Sequence, residues 1–290
     1  MSNSNDVFIS VGIPFYNASE HLKDSINCIL SQTHKNFELI LINDGSTDKS
    51  LEIALSFKDQ RIKVISDGLN KGLATRLNEI VRLARYDIIA RMDADDLVLP
   101  NRLSVQLDTL LDSNVDLVSC GLCSVNSKLE VQGFRYRNNA PIRAEDLYNC
   151  THGIVHGSVV GRRDWFVRNV YNEALPRAQD YELWNRAYFN KDLRIKVIPD
   201  ILYVYREDLG ISYNNLISAC DVSKYILNSY GEIYNNLWHK KINLEIKKIK
   251  IRILKLFKMF DLVLKYRNGN SKKISSVEFD SIKDFLRIYK

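Results

Sequence analysis

The sequence predicts an α/β protein built on a mixed, mainly parallel sheet with helices on both faces and a helical extension at its C-terminal end. Three observations predict it. Apolar, β-rich runs alternate with helix-spaced segments through the first 90 residues, the pattern of parallel strands joined by crossover helices. The apolar runs end in polar turns rich in Asp, Asn and Gly. A strongly basic stretch then follows from residue 240.

The elements read in order. Val7–Pro14 is an apolar strand ending in the loop Pro14-Phe15-Tyr16-Asn17. Ser19–Gln32 has helical spacing through Leu22, Ile26, Ile29 and Leu30, with Ser19 as its N-cap. Phe37–Ile42 is the second strand and stops at Asn43-Asp44-Gly45-Ser46-Thr47-Asp48, which turns into a helix over 48–58. Arg61–Ile65 is the third strand, followed by Ser66-Asp67-Gly68 and Asn70-Lys71-Gly72, then a helix over 73–84. Tyr86–Ala90 is the fourth. Beyond it the spacing predicts a helix over 101–112, a strand over 115–125, and a less regular stretch to about 155. Gly157–Val160 reads as a strand, Asp164–Val170 and Asp180–Phe189 as helices, and Ile195–Tyr205 as a strand interrupted by Pro199-Asp200. Two units are expected: a catalytic domain over 1–215, with halves meeting near residue 98, and an extension over 216–290.

The fourth strand runs into Arg91-Met92-Asp93-Ala94-Asp95-Asp96. Three carboxylates in four residues at a buried strand end are costly unless something positive joins them. Alternate residues of an extended chain share a face, so Asp93 and Asp95 can converge. Mg²⁺ and Mn²⁺ take one or two carboxylates together with substrate phosphates. Asp96 is better suited to supporting the turn. Asp44, Asp67, Asp93 and Asp95 all fall at successive strand ends, where open α/β sheets bind ligands.

Together these segments resemble glycosyltransferase family 2, the inverting enzymes of GT-A fold, a Rossmann-like nucleotide-diphospho-sugar architecture. The similarity covers about residues 6–206. It rests on Val11 to Asn17, Ile42 to Asp48, Asn70-Lys71-Gly72-Leu73-Ala74 through Asn78, Met92 to Asp96, and Gln179-Asp180-Tyr181-Glu182-Leu183-Trp184. The resemblance implies a nucleotide-sugar site made by Pro14, Tyr16, Asn17, Asp44, Gly45 and Ser46 from the first two loops. Asp67, Asn70, Gly72, Arg76, Asp93 and Ala94 complete it. Tyr16 would lie against a uracil ring, Asp44 would accept its N–H, and Arg76 would reach the base or phosphates. Asp93 and Asp95 would hold Mn²⁺ or Mg²⁺, and Asp180 would be the catalytic base. His156 and Trp184 are weak candidates for the acceptor side, and Trp184 reads first as a core residue.

Two departures stand out. The family's Glu-Asp pair is Gln179-Asp180 here, which keeps the second carboxylate and removes its charged neighbour. Many relatives follow a Tyr-Arg pair with a His, whereas Tyr205-Arg206 is followed by Glu207-Asp208 and the next His is His239. The ligand that His would supply is unassigned.

Other motifs have plainer readings. His152 and His156 lack the intervening Glu of a zinc helix. Cys120 and Cys123 lie in an apolar strand pattern without a second Cys pair, which suits buried thiols. Five cysteines without a secretion signal fit a reducing cytosol. No membrane span is expected, because no run of about 18 uncharged apolar residues occurs.

Net charge is +6, yet residues 240–273 hold twelve Lys/Arg against Glu245 and Asp261, leaving about −4 on the remainder. From Ile242 the residues Ile246, Ile249, Ile253, Leu256, Phe257, Phe260 and Leu264 keep one helical face apolar. Lys241, Lys247, Lys248, Arg252, Lys255 and Lys258 lie off that face. Such a helix over 240–265 suits an anionic membrane surface, while Ile251 and Leu262 on the other side suit packing against the catalytic domain. Nucleic-acid binding is not expected, since no recognition module is present.

The resemblance and the tail together predict transfer of a hexose from a UDP-sugar to a lipid-linked saccharide, such as an undecaprenyl-diphosphate-linked sugar in O-antigen or capsule assembly. The expected product is a β-linkage, and the expected location is the cytoplasmic face of the inner membrane. Two alternatives are a sugar nucleotidyltransferase, which would carry a Gly-rich first loop, and a non-catalytic peripheral scaffold, which would need no acidic strand ends.

Overall fold

The computed structural model describes residues 6–137, 140–207, 213–257 and 274–290, the side chain of Asn215 excepted. Its first half holds strands β1 (Ile9–Phe15), β2 (Phe37–Asn43), β3 (Ile62–Ser66) and β4 (Ile88–Arg91), paired in parallel in the order β3-β2-β1-β4. Every residue of β1 and β2 is buried. That explains their unbroken apolar character: both faces of a parallel sheet are covered by crossover helices. Leu39 and Leu41 face one layer with α1 (Leu22–Leu30) and α2 (Ser50–Ser56), while Ile40 and Ile42 face α3 (Leu73–Leu83). Leu22, Ile26 and Ile29 of α1 are fully buried, and each contributes roughly 1.5–3 kcal/mol relative to exposure.

The second half turns the sheet mixed. It comprises β5 (Leu97–Val98), α4 (Arg102–Asp112), β6 (Leu117–Val125), β7 (Val131–Arg135) and α5 (Ala144–Tyr148). After these come β8 (Val160–Arg162), α6 (Arg163–Arg168), α7 (Gln179–Phe189) and β9 (Ile195–Arg206). The sheet continues β4-β8-β6-β9-β5, with β7 paired to β6. β8 is antiparallel to both β4 and β6, and β9 is parallel to β6.

Several expectations shift here. The stretch read as irregular contains β7 and α5. His156–Ser158 forms a 3₁₀ turn rather than the start of a strand, so β8 begins at Val160. The turn lets Gly157 approach the site closely: a Cβ there would lie 2.2 Å from Tyr203 Oη and 2.9 Å from Asp93 Oδ2. Pro199-Asp200 does not break β9, because the β6–β9 register slips beside Gly121 and leaves both residues exposed. Cys28, Cys120, Cys123 and Cys220 are buried free thiols, and Cys150 is free.

The extension divides. Helices α8 (Tyr213–Ser229) and α9 (Leu237–Leu256) form a cluster with α5 and α7, through Tyr181, Ile226, Leu244 and Ile251 among others. Helix α10 (Ser276–Arg287), capped by Ser275 accepting from Glu278 N–H, buries Ile282, Phe285 and Leu286 against the α1 side of the sheet. On α9, Leu244 and Ile251 pack inward, while Ile242, Ile246, Ile249, Ile253, Leu256 and Phe257 are exposed. Packing and an outward apolar stripe therefore coexist on one helix. Lys258, Phe260, Leu262 and Leu264, also read as part of it, lie outside the described residues. No helix among the described residues is long and apolar enough to cross a membrane.

Candidate active site

The loops after β1 and β2 are stitched together. Asn17, at φ 48°, accepts the Thr47 N–H at 2.8 Å, and its own N–H donates to Ser46 Oγ at 3.1 Å. Gly45 has φ +72°, and a Cβ on it would lie 2.8 Å from the Asn70 backbone nitrogen. Only glycine lets these loops meet. Tyr16 is 52% exposed and lines a cavity of about 340 Å³ with Pro14, Asn17, Asp93, Ala94 and Asp95. Five of the residues expected at the nucleotide, together with Asp95, are thus brought to one place.

Asp44, Asp67 and Arg76 form a second group behind that wall. Asp44 Oδ1 accepts from Lys71 N–H at 2.7 Å and Arg76 Nε at 2.8 Å, and Gly72 N–H donates to Oδ2 at 3.1 Å. Arg76 Nη2 and Nη1 reach Asp67 at 2.7 and 3.1 Å, Nη1 also reaches Glu79 at 2.7 Å, and Nη2 donates to the Leu69 carbonyl. The guanidinium is 1% exposed, and all five of its N–H donors are used. The expectation that Arg76 reaches the base or phosphates therefore needs correction. It clamps the carboxylates and the 67–72 loop, leaving no donor for a ligand. The Arg76 and Lys71 bonds hold the Asp67 carboxyl far below the usual carboxylate range.

At the acidic corner the carboxylates differ. Asp93 is held by Arg91, at 2.7 Å from Nη2 and 3.2 Å from Nη1. Asp96 is fully buried, accepting from Tyr203 Oη at 2.7 Å and Arg206 N–H at 2.9 Å, so it braces the turn. Arg206 also donates to the Asp95 carbonyl and pairs with Asp24 at 3.0 Å. The Asp95 carboxylate faces the Tyr16 cavity and pairs with no cation among the described residues. Its surroundings, and Asp93 beside it, raise its pKa above the usual value. No group of three or more His, Cys, Asp or Glu side chains that could hold a metal occurs among the described residues. Two carboxylates on one cavity, one lacking a cation, fit an Mg²⁺ or Mn²⁺ ion that draws its other oxygens from a diphosphate.

A larger cavity, about 720 Å³, lies beyond Asp93. Asp180, in the first turn of α7, lines it together with Arg91, Asp93, His156 and Tyr203. The Asp180 side chain is 38% exposed, at the open cavity it shares with Arg91 and Asp93. Burial raises its pKa, against the Tyr181 N–H and the charge of Arg91, which lower it. His156 Nδ1 lies 3.9 Å from Asp180 Oδ2, and Nε2 lies 2.8 Å from Tyr171 Oη. Burial, with Arg91 nearby, pushes the His156 pKa well down, which favours the neutral ring beside Asp180. Trp184 is 1% exposed and stacks on Trp165 at 5.9 Å. It is core, with no face open to a sugar, and the acceptor expectation for it is corrected.

Sequence reasoning missed Arg91, Tyr171 and Tyr203. Arg91 carried a signal: it precedes Asp93 by two residues, so both share the strand face. Tyr203 and Tyr171 carried none, since β9 and the turn after α6 reach the site only through the fold.

A parallel first half, a mixed second half continuing its sheet and carboxylates at the strand ends define the GT-A class. The chain matches the sequence profile of glycosyl transferase family 2 over residues 10–169. It is 35% identical to EpsE of Bacillus subtilis (strain 168) over 69% of this chain and 73% of that one. It is 30% identical to an Escherichia coli protein over 62% of this chain and 69% of that one. That protein is WfgD, named as a UDP-Glc:alpha-D-GlcNAc-diphosphoundecaprenol beta-1,3-glucosyltransferase. S. aureus TarS, residues 1–349, in complex with UDP-GlcNAc shares the fold with a TM-score of 0.61 and 20% identity, over 81% of this chain and 69% of that one. The chain belongs to glycosyl transferase family 2 and is a glycosyltransferase.

Proposed function

We propose that this glycosyltransferase moves a hexose from a UDP-sugar to a lipid-linked saccharide, with inversion to a β-glycosidic bond, in surface polysaccharide assembly such as O-antigen or capsule. The observation that carries the reading is the cavity shared by Asp180 and the Arg91–Asp93 pair. A carboxylate of raised pKa and Asp93 line one space of about 720 Å³, room enough for a sugar. A general base works best with a pKa displaced toward the working pH.

In the proposed reaction Tyr16 supports the uracil ring. Asp44 Oδ2, which carries a single donor, accepts the ring N–H. The acceptor oxygen attacks the anomeric carbon as the bond from that carbon to the phosphate oxygen breaks, and the electron pair leaves with UDP. Asp180 takes the hydroxyl proton, and attack opposite the leaving group inverts the centre. A divalent ion held by Asp93 and Asp95 would stabilise charge developing on the diphosphate. Buried Asp96, Tyr203 and Arg206 hold that corner in place.

The name of WfgD describes an acceptor of this chemistry, and TarS binds UDP-GlcNAc. The outward stripe of α9 supports the lipid-linked reading. Trp238, Ile242, Ile246, Ile249 and Ile253 are exposed on a helix also carrying Lys241, Lys250 and Arg252. That combination suits the anionic cytoplasmic face of an inner membrane. The test is UDP release from UDP-glucose, UDP-galactose and UDP-GlcNAc with Mn²⁺ or Mg²⁺ and a panel of undecaprenyl-diphosphate-linked sugars. Acceptor-dependent release with at least one pair supports the reading, and none with any pair overturns it.

A further inference from the structure

A second cavity, about 540 Å³, opens between the start of α7 and the α8–α9 hairpin. It shares Asp180 and Cys150 with the catalytic cavity, so the two meet at the proposed base. Its far wall is a ridge of α9: Lys240, Asn243 and Lys247. These positions are three and four apart and share one helical face. Lys240 is partly neutralised, since it bonds Glu145 and lies 4.6 Å from the Tyr148 ring centroid. Lys247 pairs with no carboxylate among the described residues, and Asn243 adds an amide donor beside it. Turning outward around α9 from Lys247, the surface passes Lys250 and reaches the exposed Ile242–Ile246–Ile249–Ile253 stripe.

We infer that this cavity binds the phosphate of the acceptor, with Lys247 and Asn243 as its donors. The inference rests on the lipid-linked reading above and specifies where that acceptor lies. A saccharide whose hydroxyl is at Asp180 needs its anionic group close by, and a diphosphate beside that carboxylate needs a cation to offset their repulsion. Lys247 supplies that cation, and the apolar stripe leads from the same edge of the helix toward lipid. Cationic hydrogen bonds to phosphate are of the stronger kind.

The test is calorimetric titration of the full chain, with UDP and Mg²⁺ present, using farnesyl diphosphate, inorganic pyrophosphate and farnesol. Farnesyl diphosphate is expected to bind more tightly than either of the others. Lys247→Ala should weaken it about tenfold, Lys247→Arg should restore most of the affinity, and Lys250→Ala should leave it unchanged. Equal losses for Lys247→Ala and Lys250→Ala, or no binding of farnesyl diphosphate, overturn the subsite. Pyrophosphate binding as tightly as farnesyl diphosphate overturns the lipid source. Failure of UDP itself to bind counts against the donor reading, while the Lys247 dependence of farnesyl diphosphate binding still decides this one.

Discussion

The Arg76 clamp and the cavities lined by Asp95 and Asp180 use carboxylates in opposite ways. At the clamp, Asp67 and Asp44 Oδ1 are held by Arg76, Lys71 and backbone N–H groups, and Asp67 is driven far down in pKa. At the two cavities, Asp95 and Asp180 have no cation hydrogen-bonded to them among the described residues, and both are raised in pKa. A paired carboxylate spends its charge on structure. An unpaired one keeps it for something that arrives, which in the proposed reaction is a metal-bound diphosphate at Asp95 and a proton at Asp180.

The largest effect expected is at Asp95. Asp95→Ala should lower turnover at least about a hundredfold, since stabilisation of a leaving diphosphate amounts to several kcal/mol. It should also abolish any dependence of UDP affinity on Mn²⁺, measured by calorimetry, while melting temperature does not fall. A variant that melts lower and still responds to Mn²⁺ would place Asp95 with the structural carboxylates.

Arg76→Met tests the clamp. It leaves Asp44 buried without its cation and should cost about 3 kcal/mol in denaturant unfolding, the lower end for a broken buried pair, because Asp67 reaches solvent. Unchanged stability would mean that the clamp holds nothing.

Acidification separates the paired carboxylates from Asp180 by sign. Asp67 is lowered by Arg76, Asp59 is pushed down to about 2 by Arg61, and Asp146 to about 2 by Arg143. Their stabilisation is complete above the ordinary carboxylate pKa and is lost as pH falls toward about 2. Asp180 is raised, so its base form is lost above 3.8. A pH range is therefore expected in which the protein is folded and inactive, checked by circular dichroism beside UDP release. Coincident loss of fold and activity would contradict it.

The smallest effect lies on α9. Ile246→Glu with Ile249→Glu should lower co-sedimentation with anionic vesicles about tenfold or more and leave stability intact, because both side chains are already exposed. Unaltered vesicle binding would count against the membrane-facing stripe.

Much of the nucleotide half was legible in sequence. Its strands are buried on both faces and read as unbroken apolar runs, and its loops carry turn residues with a mechanism, such as Gly45 at positive φ. The Asp96 brace followed from its place in the turn. The clamp at Arg76 was not legible, because its carboxylates come from the loop after β2, the loop after β3 and its own helix. Nothing local marks that all five donors will be used. Trp184 was open to two readings, core or sugar platform, because helical spacing does not reveal that Trp165 covers its face. In the second half, β5 and β7 are too short for periodicity, and Tyr203 enters the site from a strand more than one hundred residues away. The α9 pattern did show both of its faces. Only the structure shows Leu244 and Ile251 packed while the isoleucine stripe stays outside.

The measurement that reaches the central claim most directly compares wild type with Asp180→Asn in acceptor-dependent UDP release, with UDP affinity and melting temperature followed in parallel. Removing the general base should reduce turnover about 10²–10⁴-fold and leave UDP affinity unchanged. Melting temperature should hold or rise, because ionised Asp180 is disfavoured where it lies. Near-full turnover in Asp180→Asn, or lost turnover accompanied by lost UDP affinity and a lower melting temperature, would contradict the assignment of Asp180 as the base.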